Sequence, residues 1–167
     1  MKKVFVFISF ILIFSCQGNA PLEFIMLSEG LDENPESRRK AIAIFNNGKT
    51  FFCIEQAEKA KYEYYEYNIP DSIWVKYKQI VNTSFIKKNP NRYDHVSDSP
   101  NTELVFKLNG GTKRIDDLSY LILNQETQSK IYTLFNLVNT KKAKKINYFP
   151  FKSPVLFEEL PTPPPFK

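Results

Sequence analysis

Apolar and polar positions change period several times along this chain, and each change marks an element. Behind Lys2 and Lys3, residues Val4 to Phe14 are apolar apart from Ser9. That run is about half of the roughly 20 apolar residues a membrane-crossing helix needs, and it reads as the core of an export signal. Residues 22–27 predict a short strand. Ser28 to Arg39 is polar, with Gly30 and Pro35, and predicts a loop.

Ala41 to Phe45 and Thr50 to Ile54 flank Asn46-Asn47-Gly48, the pattern of a hairpin. A two-residue turn would set Ile44 against Phe51. A three-residue loop with Gly48 left-handed sets Ile44 against Thr50 and Ile42 against Phe52. The second register gathers Ile42, Ile44, Phe52 and Ile54 on one face and sends Ala41, Ala43, Phe51 and Cys53 to the other. It is favoured because the bulky aliphatics then segregate and glycine takes the positive φ.

Lys61 to Tyr67 suits a strand by propensity, although Ala57, Ala60, Tyr64 and Asn68 also fit a helix; the reading favours a strand over 62–69. Pro70-Asp71-Ser72 then opens a helix carrying Ile73, Trp74, Tyr77, Ile80 and Val81 on one face and ending near Asn82. Ser84 to Pro100 is expected to be a long loop. Thr102 to Leu108 alternates, placing Leu104, Phe106 and Leu108 opposite Glu103, Val105 and Lys107. Asn109-Gly110-Gly111 turns the chain into a return strand to Ile115. A second helix is expected over 125–140, capped by Asn124, with Ile131, Leu134, Phe135 and Val138 as its stripe. The fold class that follows is α+β: an antiparallel sheet built from two hairpins and a short N-terminal strand, with two helices on one face. This domain spans 22–148.

From 149 to 167 the composition shifts, and six of the eleven prolines lie between Pro150 and Pro165. Pro161 to Pro165 should be extended polyproline. Phe149, Phe151, Val155, Leu156 and Phe157 are too apolar for a solvated linker, so the first part of this tail is expected to lie on the domain, over the small-residue sheet face.

The apolar N-terminal run ends at Ile13-Phe14-Ser15-Cys16, which resembles the lipobox of bacterial lipoprotein precursors. Ile13 stands where Leu is usual and Phe14 where a smaller residue is commoner; Ser15 and Cys16 fit. The resemblance covers only these sixteen residues. It implies that 1–15 is a signal peptide, that Cys16 is the lipidation site, and that 16–21 is the tether. Gly18-Asn19-Ala20 offers ordinary cleavage as the alternative. Gln17 after the cysteine, by analogy with that family, implies an outer-membrane anchor facing the periplasm.

Removing 1–15 takes away two lysines and no acids, so the formal charge falls from +5 to +3. So mild a charge argues against a nucleic-acid partner. After lipidation of Cys16 one thiol, Cys53, remains, which leaves no intramolecular disulfide to staple the fold.

The only histidine sits in Asp94-His95-Val96-Ser97-Asp98. Asp94, His95 and Asp98 are candidates for acid–base work, weighed against an ordinary polar turn; a metal site would need more ligands than this loop shows. No cofactor motif is found. Cys53 has no second histidine to activate it and reads as a buried structural thiol. Tyr62, Tyr64, Tyr65 and Tyr67 are candidates for a binding platform, though in a strand only two share a face; otherwise they shield an edge strand. Lys141, Lys142, Lys144 and Lys145 either meet anionic headgroups or simply follow a helix C-terminus. The expectation is a non-catalytic envelope lipoprotein that binds another envelope protein or glycan. The alternatives are an immunity-type lipoprotein against a periplasmic toxin and a hydrolase using Asp94 and His95.

Overall fold

The structure is a computed structural model that describes residues 22–31, 36–58, 61–78, 87–88, 101–108, 110–115, 121–122 and 131–157. Its strands are β1 (Leu22–Glu29), β2 (Lys40–Phe45), β3 (Lys49–Glu55), β4 (Tyr62–Asn68), β5 (Lys87–Lys88), β6 (Thr102–Leu108), β7 (Gly111–Ile115), β8 (Leu121–Ile122) and β9 (Lys144–Ile146). Seven of them form one sheet in the order β7-β6-β1-β2-β3-β4-β9, antiparallel throughout. β5 pairs with β8 in a separate two-stranded piece. One α-helix is described, α1 (Asp71–Lys78).

The α+β expectation with two packed helices is therefore corrected to a sheet-dominated fold. Of the segment read as a second helix, the described part begins with two helical residues, tightens into a 3-10 turn at Thr133–Leu137 and leaves helical geometry at Val138. The reason is local. Ile131, Thr133 and Val138 are β-branched, and Asn136 and Asn139 favour other backbone states, so little sustains a helix here. The apolar spacing was real, because Ile131 and Leu134 are buried. One turn is enough to bury them. Of the lysines read as helix-trailing, Lys141 and Lys142 lie in a turn and Lys144 and Lys145 enter β9, which makes β4 an interior strand rather than an edge. The long loop expected over 84–100 contains β5.

The first hairpin has Ile42 opposite Phe52 and Ile44 opposite Thr50. Gly48 takes φ 80°, and a Cβ there would meet the Ile69 carbonyl oxygen at 2.6 Å, so only glycine fits. In the second hairpin Leu108 pairs with Gly111, which shortens the expected turn to two residues. A bulge between Leu22 and Phe24 puts Leu22 on the same face as Ile25 despite their odd spacing.

The sheet has two differently covered faces. On one, Ile25, Leu27, Ile42, Ile44, Phe52, Leu104 and Phe106 pack under Trp74 and Tyr77 of α1 and under Ile131 and Leu134. On the other, Met26, Ala41, Ala43, Cys53, Tyr64 and Val105 leave room that Phe151 and Leu156 fill from the C-terminal segment.

Polar side chains tie that segment down. Glu103, fully enclosed, accepts from Ser153 Oγ and from Arg114 Nη1, and Arg114 Nη2 donates to the Lys152 carbonyl at 2.9 Å. Gly30 lies so close that a Cβ would meet the Val155 carbonyl oxygen at 2.9 Å.

Candidate functional site

β4 divides its tyrosines by parity, as any strand must. Tyr65 and Tyr67 pack on the helix-covered face, and Tyr62 and Tyr64 on the face beneath the C-terminal segment. The structure thus brings two of the four candidates to each side. Their hydroxyls differ sharply. Tyr62 donates to the Leu156 carbonyl, and Tyr65 donates to Glu63 Oε2 at 2.6 Å. The Tyr67 hydroxyl is enclosed with no hydrogen-bond partner among the described residues. Burial pushes the Tyr62 and Tyr67 phenols well above their ordinary range, so neither ionises near neutrality.

On the Tyr62 side the rings form a continuous band. Phe24 meets Phe45 at 5.8 Å between centroids, Phe45 meets Phe51 at 5.9 Å, and Phe51 stacks on Phe149 at 3.9 Å. Phe149 contacts Phe151 at 4.9 Å, and Phe151 contacts Tyr64 at 6.4 Å. Tyr64 then meets Tyr148 edge-on at 5.3 Å, and Tyr62 meets Phe157 at 5.6 Å. Such contacts add roughly 0.5–1.5 kcal/mol each beyond area burial. The band surfaces at its Tyr end. Tyr148 is 62% exposed and Phe157 45% exposed, each held by a tyrosine behind it.

Tyr148 was not singled out in the sequence. The signal was available in Tyr148-Phe149-Pro150-Phe151, three aromatic residues set around a proline at the start of the C-terminal segment.

The charged groups around this band serve the fold. Arg39 and Glu55, both nearly enclosed, pair through Nε at 3.0 Å and Nη2 at 2.5 Å, with the guanidinium 5.8 Å from the Tyr62 ring centre. The Glu63 carboxyl is held below its usual range, first by hydrogen bonding from Lys145 and then from Tyr65. Cys53 is fully enclosed, and burial pushes its thiol up to about 12. A thiol so shifted is a poor nucleophile.

Cys16 lies outside the described residues, as do Asp94, His95 and Asp98. Among the described residues no three His, Cys, Asp or Glu side chains come together as metal ligands would. No helix among them is long and apolar enough to cross a membrane. A scan against protein-family models and a search of curated proteins find no match to this chain.

Proposed function

We propose that this chain is a lipid-anchored envelope protein whose sheet domain binds another envelope component, protein or glycan, and catalyses no reaction. The observation that carries the binding reading is the exposed end of the aromatic band. Tyr148 and Phe157 offer flat area to solvent, and Tyr64 and Tyr62 hold them from behind. Rings already fixed lose little conformational freedom when a partner covers them, which favours affinity. The anchoring part rests on the lipobox-like Ile13 to Cys16.

The test is photo-crosslinking in living cells from Tyr148 and from Phe157, with exposed Val75 on α1 as the comparison site. A discrete adduct from the two ring positions, absent from Val75, is the expected result. No adduct, or the same mixture from all three positions, overturns the binding reading. The mass of the peptide beginning at Cys16 decides the anchor separately: an unacylated sulfur, or cleavage after Ala20, overturns it.

A further inference from the structure

The strand registers define two ends of the large sheet. Phe24 pairs with Phe45, Lys49 with Asn68, and Glu66 with Lys144. The chain therefore enters β1 at the same end where β2 turns into β3, where β4 exits, and where β9 begins. Glu29 against Lys40 and Glu55 against Tyr62 mark the other end, about 20 Å away by the length of β4.

Charge is distributed unequally between these ends. At the far end Lys40 pairs with Glu29, Arg39 with Glu55 and Lys61 with Glu58. At the entry end Lys49 pairs with Glu66 and Lys107 with Glu23. Lys141, Lys142 and Lys144 are exposed there and form no ion pair with the described residues. Asn139 holds their loop, its Oδ1 accepting from the Lys141 amide at 3.1 Å and its carbonyl from the Lys142 amide at 2.9 Å. Lys142 and Lys144 rim a cleft of about 480 Å³ with an apolar floor that includes Ile73 and Leu137.

We propose that this end of the sheet rests on a bilayer surface rich in anionic lipid, with Lys141, Lys142 and Lys144 against the headgroup phosphates. The proposal rests on the tethered reading above. Residues 16–21 span at most about 20 Å, so the end joined to Leu22 is the end held beside the lipid. Headgroup fields reach about 8–10 Å at physiological salt, so only that end feels them. Each lysine near such a surface strengthens partitioning about fivefold. At the far end the described cations Arg38, Arg39, Lys40 and Lys61 are matched in number by Glu29, Glu36, Glu55 and Glu58, so turning over gains little. The same orientation points Tyr62 and Phe157, which lie toward the far end, away from the membrane and toward a partner.

The test uses the exported chain from residue 16 with Cys16→Ser, which retains every described element. It is sedimented with vesicles of phosphatidylcholine alone or mixed with phosphatidylglycerol, at low and high salt. Binding is expected only to the mixed vesicles, and high salt should release it. K142Q/K144Q should weaken it about 25-fold, while K61Q at the far end leaves it unchanged. Equal binding to both vesicle types, or equal loss from K61Q and K142Q/K144Q, overturns the proposal. Because this chain carries no acyl group, its docking and the acylation of Cys16 fail separately.

Discussion

The two faces of the sheet are closed in different ways. One presents large aliphatics and Phe52 and is covered by α1 and the 131–138 segment. The other presents Ala41, Ala43, Cys53 and Val105 and is covered by the last described stretch of chain, fastened through Glu103, Arg114 and Ser153. Large side chains fill their own space and need only a lid. Small ones leave a trough that something else must fill, and here aromatic rings from the C-terminal segment fill it. The first face makes the larger apolar core. The second leaves part of its cover, Tyr148 and Phe157, at the surface.

That contrast can be broken most directly in the core. Phe106→Ala should cost about 3–5 kcal/mol in urea unfolding, because Phe106 is fully buried on the helix-covered face. Leu156→Ala on the strapped face should cost about 2 kcal/mol and act differently. If the strap opens before the sheet unfolds, native-state alkylation of Cys53 should quicken about 30-fold in that variant. A stability loss with unchanged alkylation would mean that strap and sheet open as one unit.

The Cys53 thiol sharpens the same point through pH. Its folded value is raised, so the protonated thiol favours folding below its ordinary value near 9. That advantage is lost as pH rises from there through about 12. The urea midpoint should therefore fall across this range, and Cys53→Ala should flatten the fall. The smallest effect is expected at Tyr67→Phe. Removing an enclosed, unpartnered hydroxyl should raise stability by about 1 kcal/mol, read as a higher urea midpoint.

Much of the sheet was legible in the residues. The hairpin register around Gly48 followed from the need for one left-handed position and from the segregation of Ile42, Ile44 and Phe52. The trough was legible too, because Ala41, Ala43 and Cys53 alternate with those aliphatics. The second helix was misread because a 3-10 turn and a helix both bring Ile131 and Leu134 to one side. β9 was missed because Lys144-Lys145-Ile146 is too short and too charged to show a strand period. The sequence offers Tyr62, Tyr64, Tyr65 and Tyr67 together as candidates, but does not show that two of them meet Tyr148 and Phe157, rings from more than eighty residues away in the chain.

Local pattern was enough for the strands whose apolar positions alternate, for the first hairpin, whose Gly48 admits one geometry, and for the residues that need cover. Those outcomes depend on neighbours a few positions apart, where backbone sterics and side-chain period act directly. It took the assembled fold to fix that Lys144–Ile146 completes the sheet, that Glu103 is buried against Arg114 and Ser153, and that three lysines with no ion pair among the described residues share an end with the start of β1. Each of these joins segments distant in the chain, and such pairings are chosen by the shape and charge of surfaces that exist only once the strands have assembled.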